Sequence, residues 1–131
     1  MADTRSLTRT AALAALVDLV AVLAFATVGR RSHAEGLTAL GVLDTAAPFV
    51  LGLLAGWLAG RVWRAPTGLR PGLAAWAGTV IIGLAVRAAF THRLPPSFVL
   101  VATLSLAVFL LGWRGVALLV THLTRSRRRS A

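Results

Sequence analysis

The fold is decided by the stretch Ser97–Trp113, SFVLVATLSLAVFLLGW, which contains no charged residue. Together with the uncharged residues that begin at Leu94, it reaches about 20 residues, the length at which a helix crosses about 30 Å of hydrocarbon. A chain of 131 residues has too little interior to hide such a segment, because short chains have far more surface than core. The stretch therefore predicts a transmembrane helix.

Three further apolar stretches precede this one. The four predicted spans cover about residues 10–28, 45–60, 72–90 and 97–114, the last with a continuation to 123. Asp44 and Thr45 are candidates to cap the second helix, which would leave Pro48 in its first turn. The sequence thus predicts an all-α fold, an integral membrane bundle of four transmembrane helices, in a single domain over residues 1–131.

The composition agrees with a membrane protein. Hydrophobic residues make up 57% of the chain and charged residues 14%, whereas a soluble domain has about 45–50% apolar and about 25% charged residues. Disorder is excluded, since disordered chains are poor in apolar residues. A soluble enzyme does not fit this composition, and we expect no enzymatic activity. Because the chain has no cysteine, thiol chemistry and zinc–thiolate sites are excluded, and we expect no cofactor.

The distribution of positive charge along the chain predicts the membrane topology. All 14 basic residues are arginines, and the net charge is +10. They lie between the apolar stretches and at the C-terminus, as topology signals do, so we expect the lipid bilayer as partner and no nucleic acid. Ten arginines on the side of the two termini against four on the other predict that both termini lie in the cytoplasm. Arg125, Arg127, Arg128 and Arg129 are expected to rest on anionic lipid.

A signal peptide is the alternative interpretation of the first span. Arg5 and Arg9 precede an apolar run that ends in Ala24-Phe25-Ala26, a small-residue pattern typical of a cleavage site. Asp18 in the middle of that run counts against cleavage.

Asp18 is the strongest candidate for a functional residue. A charge at mid-span costs about 2.5–3.5 kcal/mol on insertion scales, so it should face the bundle. Thr79 and Ser105 reach a similar depth, whereas Arg87 lies about 10 Å nearer the outer end. We therefore expect hydroxyls or water to be nearer partners than Arg87, which can instead extend to the outer head groups. On that basis Asp18→Asn should preserve folding.

A row of glycines lies on the second span. Gly52, Gly56 and Gly60 follow each other at four-residue spacing, which leaves a flat face where another backbone can approach. This face either packs the four helices together or forms the seam of a homodimer.

The predicted outer side carries a loose polar set, Arg31, His33, Glu35 and His92. Two histidines and a carboxylate could bind a divalent metal. Their spacing is not that of a known metal motif, so we expect no metal site.

Several short segments resemble one known family. They are Gly29-Arg30-Arg31-Ser32-His33-Ala34-Glu35-Gly36, Ala47-Pro48-Phe49, Gly56-Trp57, Trp63-Arg64-Ala65-Pro66 and Phe109-Leu110-Leu111-Gly112-Trp113-Arg114. Over about residues 15–117 the chain resembles the prokaryotic membrane family catalogued as domain of unknown function 3054. The resemblance implies a four-span inner-membrane protein and supplies no activity. The positions that it singles out are Asp18, Arg31, His33, Glu35, Pro48, Trp57, Arg87, Trp113 and Arg114.

Three function classes therefore remain after the sequence has been considered. The least favoured is a membrane enzyme, for which only the loose set of His33, Glu35 and His92 is available; the other two are favoured over it. The first is a structural or accessory membrane component that uses the glycine face and the arginine clusters. The alternative is a proton- or ion-coupled small transporter or channel protomer that uses Asp18. A polar cavity leading to Asp18 would favour the second class.

Overall fold

The computed structural model describes residues 4–32 and 36–130, and the regular elements in this part of the chain are helical. They are α1 (Thr4–Ser32), α2 (Ala39–Gly60), the short 3-10 helix η1 (Val62–Arg64), α3 (Leu69–Thr91) and α4 (Pro96–Ser130). All four α-helices are long and apolar enough to cross a membrane. The predicted all-α bundle of four helices that can span a membrane is confirmed.

Short connections make neighbouring helices antiparallel, and α1 also contacts α4, so that the bundle closes. It has two ends. The η1 end gathers the start of α1, the end of α2, η1, the start of α3 and the end of α4. The opposite end, here called the α3–α4 loop end, gathers the end of α1, the start of α2, the end of α3 and the start of α4.

The helices are longer than the predicted apolar spans. α2 begins six residues before Thr45, and its N-cap is Thr38, whose hydroxyl oxygen accepts a hydrogen bond from the Gly41 N–H at 3.0 Å. The predicted cap at Asp44 and Thr45 was therefore wrong, and Pro48 lies inside the helix. The reason is that Thr38 caps the helix earlier, and one proline costs a helix within a bundle only one backbone hydrogen bond.

Glycines bring α2 and α3 into backbone contact. A methyl group built on Gly52 would lie 2.6 Å from the carbonyl oxygen of Gly78, and one on Gly56 would lie 2.6 Å from that of Ala74. A methyl on Gly60 would collide with the side chain of Ala74. The glycine row thus packs against α3 of the same chain, which is the first of its two interpretations. The homodimer seam stays a prediction.

The interior of the bundle is apolar and aromatic. Phe49 is fully buried and meets Phe25 edge-on, with ring centroids 5.1 Å apart. Large apolar side chains also cover the outside, such as Leu40, Ile81 and Phe90. A soluble monomer rarely exposes contiguous apolar patches of this kind, so this surface fits a bilayer, and the chain is a multi-pass membrane protein.

Candidate functional site

Asp18 and Arg114 form a buried ion pair near the η1 end. Both side chains are 0% exposed. Nη1 of Arg114 donates to Oδ1 of Asp18 at 2.8 Å, and Nη2 donates to Oδ2 at 2.7 Å. This is the two-pronged geometry in which the planar guanidinium matches a carboxylate, and such charge-assisted hydrogen bonds are the strong ones.

Two indoles complete the shell of the carboxylate. Nε1 of Trp57 donates to Oδ2 of Asp18 at 2.8 Å, and Nε1 of Trp113 donates to Oδ1 at 2.9 Å. A carboxylate offers about four lone-pair sites, and each oxygen here accepts two hydrogen bonds. We call Asp18, Arg114, Trp57 and Trp113 the charge clamp. It connects α1, α2 and α4.

Arg114 also fastens the segment after η1. Its Nε donates to the carbonyl oxygen of Pro66 at 2.9 Å, and Nη1 donates to that of Leu110 at 2.8 Å. Gly72 leaves the room for this side chain, because a methyl group there would lie 2.6 Å from Cδ of Arg114. Within the described part of the chain, no buried side-chain nitrogen or oxygen lacks a hydrogen-bond partner.

The sequence-predicted partners of Asp18 lie elsewhere. The Thr79 hydroxyl donates to the carbonyl oxygen of Ala75 in its own helix at 2.7 Å. Ser105 lines a cavity towards the α3–α4 loop end, and Cζ of Arg87 lies 4.5 Å from the centre of the Phe98 ring. The structure therefore does not bring Asp18 together with these three residues. The expectation that hydroxyls are its nearest partners was wrong.

The physical reason is the direction of the Arg114 side chain. Side chains of a helix lean towards its N-terminus, and Arg114 extends back to the carbonyl of Leu110, one turn earlier. It therefore reaches deeper into the bundle than its backbone position implies. The expectation that Asp18→Asn preserves folding stays a prediction. The ion pair counts against it, because an amide would turn its donor group towards a guanidinium and leave that charge unpaired.

The sequence contained a signal for the partners of Asp18. The estimate of depth from helix rise did not use it. Arg114 interrupts an apolar run that otherwise continues to Leu123, and its charge is opposite to that of Asp18. Trp57, Trp113 and Arg114 were singled out only through the family resemblance. A search for the opposite charge on either side of mid-span would have found the arginine.

The polar residues of the predicted outer side do not assemble in the described chain. Arg31 is exposed near the end of α1. His92 ends α3 in the left-handed conformation, and its N–H donates to the carbonyl of Ala88 at 2.8 Å. His33 and Glu35 lie outside the described residues. Over residues 4–32 and 36–130, no three histidine, cysteine or acidic side chains group as metal ligands would. The expectation of no metal and no cofactor stays a prediction.

A cavity of about 620 Å³ lies between α1, α3 and α4 at the α3–α4 loop end. Its lining includes Phe25, Arg87, Arg93, Phe98, Ser105 and Phe109. A smaller groove of about 320 Å³, lined by alanines, glycines and isoleucines, runs between α2 and α3. Asp18 lines neither of these two spaces.

One family model matches the chain. It is described as a protein of unknown function (DUF3054), and the match covers residues 15–117. No curated protein and no solved structure matches. The matched segment contains all four residues of the charge clamp and both arginines of the cavity. Since it covers most of the sequence, the chain belongs to the DUF3054 family of proteins of unknown function.

Proposed function

We propose that this chain is a structural or accessory membrane component without enzymatic activity, whose charge clamp fixes the arrangement of its helices. One observation carries the proposal. Both oxygens of Asp18 are occupied by protein donors, two from Arg114 and one from each indole. No lone pair of that carboxylate remains for a transported cation in this arrangement, whereas a role in positioning helices uses all of them.

A polar clamp suits this role because a lipid environment does little to specify how helices align with one another. Lipid tails are as apolar as leucine, so no hydrophobic force selects one helix alignment over another in a bilayer. A buried ion pair is weak support for stability as such, since apolar residues of similar volume are often as stable. Its directional hydrogen bonds instead specify which helices meet and at what offset. We infer that the clamp sets the register of α1, α2 and α4.

The alternative function is a proton- or ion-coupled transporter or channel protomer that uses Asp18. The cavity at the α3–α4 loop end favours it, because Phe25 in the cavity wall is about 10 Å from Asp18 along α1. Fully buried Val22 and Leu110 occupy the turns next to the clamp on that side. Transport through Asp18 would require these side chains to part and Arg114 to release the carboxylate.

Ion flux through reconstituted vesicles separates the two functions. We would compare the wild type with the double variant Asp18→Leu/Arg114→Met, which removes both charges and keeps an apolar volume. The proposal expects a folded double variant, and proton and sodium fluxes in wild-type vesicles that equal those of protein-free vesicles under an imposed gradient. Asp44→Asn, at an exposed carboxylate, is the matched control. A wild-type flux that this control keeps and the folded double variant loses would overturn the proposal.

We further propose an inner-membrane location with both termini in the cytoplasm. The support is the excess of arginines at the η1 end, which persists when buried Arg114 is set aside. The absence of native cysteine permits single-cysteine labelling. An impermeant maleimide should label Arg127→Cys only after permeabilisation and Arg31→Cys in intact cells. The reverse pattern would show the opposite orientation.

The C-terminal arginines are proposed to bind anionic lipid. α4 has 35 residues, about 52 Å of helix, and its last buried residue is Arg114. Arg125, Arg127, Arg128 and Arg129 are therefore held, exposed, beyond the bundle. A fluorophore at position 130 should respond to anionic lipid in nanodiscs, and the response should disappear when the four arginines become glutamine. We do not extend the proposal to a homodimer through Gly52, Gly56 and Gly60, because α3 covers that row.

A further inference from the structure

We propose that the cavity at the α3–α4 loop end binds one anionic membrane lipid, with an acyl chain inside the cavity and the head group at Arg87 and Arg93. This inference is independent of the charge clamp, which lies at the other end of the bundle. About 24 Å of helix rise separates Arg114 from Phe98 along α4, and about 8 Å separates it from Phe109, the lining residue of α4 nearest to the clamp. The structure therefore assigns a second and separate role to the arginines of this chain.

The interior of the cavity fits a hydrocarbon chain. Its volume of about 620 Å³ lies within the range of about 300–1,000 Å³ typical of ligand sites. Phe25, Phe98 and Phe109 form its aromatic wall. Val28 and Val101 also line it, and they are 54% and 58% exposed. An opening beside exposed apolar side chains gives a lipid tail lateral access from the bilayer.

Two arginines make the described rim of the cavity positively charged. In the described chain, the guanidinium groups of Arg87 and Arg93 have no carboxylate partner and donate no hydrogen bond, and Arg87 lies over the Phe98 ring. The two described carboxylates are elsewhere. Asp18 is held by Arg114, and Asp44 is absent from the lining. An anion would therefore supply the missing charge partner.

The N-terminus of α4 adds an electrostatic field that favours an anion at the same rim of the cavity. Pro95 and Ser97 line the cavity, and α4 begins at Pro96. First-turn N–H groups have no partner within their helix, and the N-terminus carries a partial positive charge. The C-termini of α1 and α3 oppose this field, but the two full charges of Arg87 and Arg93 outweigh these two partial charges. Arginine binds phosphate through two parallel hydrogen bonds, so a lipid phosphate fits the rim.

The combination of features selects a lipid. A small soluble anion would not need an aromatic hydrocarbon-sized interior, and an uncharged apolar molecule would leave both guanidiniums without a partner. A zwitterionic lipid has no net charge to match theirs. The occupant with both complementary parts is a lipid whose head group is an anionic phosphodiester.

Native mass spectrometry of the full chain released from detergent tests the proposal. The probes are dioleoyl phosphatidylglycerol and dioleoyl phosphatidylcholine, which share acyl chains and differ in net charge. We expect one phosphatidylglycerol to be retained with an affinity about tenfold or more above that of phosphatidylcholine. The variant Arg87→Gln/Arg93→Gln should lose this preference. The matched control Arg64→Gln/Arg70→Gln removes the same charge at exposed sites of the η1 end and should keep it.

A second variant distinguishes loss of the site from loss of the fold. Ser105→Trp fills the cavity and leaves both arginines in place, so it should lower the retention of phosphatidylglycerol while helicity by circular dichroism stays unchanged. Equal retention of the two lipids by the wild type would overturn the proposal. So would a charge preference that survives in the Arg87→Gln/Arg93→Gln variant, or one that the Arg64→Gln/Arg70→Gln control loses to the same degree.

Discussion

The two ends of the bundle hold arginines in opposite states. At the η1 end, Arg114 is fully buried and donates to a carboxylate and to two backbone carbonyls. At the α3–α4 loop end, Arg87 and Arg93 line a cavity in which no described carboxylate takes part. The same residue type thus holds the fold together at one end and leaves charge available for a ligand at the other. What differs is whether a carboxylate lies within reach.

Burial explains the difference. A charge removed from water costs several kcal/mol unless its partners are placed well, so a buried arginine needs a complete shell. Arg114 has that shell because α1 presents Asp18 to it. Arg87 is near the end of its helix and stays partly exposed, so its charge can be solvated by head groups without a protein partner. Four substitutions test this difference between the two ends of the bundle.

The largest effect is expected from Arg114→Met. It leaves the Asp18 carboxylate buried without its counter-charge, and the free energy of unfolding should fall by about 3–5 kcal/mol. Thermal unfolding of the purified chain in detergent measures this loss. Adding Asp18→Leu should recover most of it, since the unpaired charge is then removed. Arg125→Met at an exposed site is the control, and a wild-type melting temperature for Arg114→Met would show that the clamp does not hold the bundle.

Gly56→Leu should have the next largest effect, because it forces the backbones of α2 and α3 apart next to the clamp residue Trp57. A side chain at Gly56 meets the backbone of Ala74 and Ala75, and overpacking of this kind costs about 1–3 kcal/mol. The same melting experiment applies. Gly115→Leu is a matched control, since a methyl group on Gly115 meets nothing within 4 Å. Equal melting temperatures for the two variants would contradict the close contact of α2 with α3.

Trp57→Phe reduces the clamp without breaking it. The variant removes one of the four donors to Asp18. The expected loss of stability is about 1.5–2 kcal/mol, the lower part of the range for a hydrogen bond to a charged group, because Oδ2 keeps its bond from Arg114. Trp63→Phe provides the comparison, since that indole is 43% exposed and lies outside the clamp. A loss no greater than that of the Trp63 variant would remove Trp57 from the clamp.

The smallest change in stability is expected from Arg87→Gln. It removes only the contact of the guanidinium with Phe98, which contributes about 0.5–1 kcal/mol at partly exposed sites. Chemical or thermal unfolding in detergent should therefore place this variant close to the wild type. A loss comparable to that of Arg114→Met would mean that Arg87 also has a structural role, and the contrast between the two ends would disappear.

Local features of the chain allowed part of this structure to be predicted. The four helices follow from apolar length, and the burial of Asp18 follows from the cost of a charge in hydrocarbon. The ends of the helices could not be predicted from the apolar spans. α2 begins beyond its apolar span because Thr38 caps it, and α4 continues into its arginine-rich end because no proline or glycine interrupts it after Gly115.

The sequence by itself determined that this chain crosses a membrane as helices and that Asp18 must find partners inside the bundle. Hydropathy and span length are properties of each segment alone, so they can be read without the fold. Only the packing of the helices shows that the partner of Asp18 is Arg114 and that Arg87 lines a cavity. Those outcomes depend on the rotation and axial offset of each helix relative to the others. The rotation and offset are fixed by the glycine contacts between α2 and α3 and by the direction of the Arg114 side chain. Both of these features involve more than one segment of the chain.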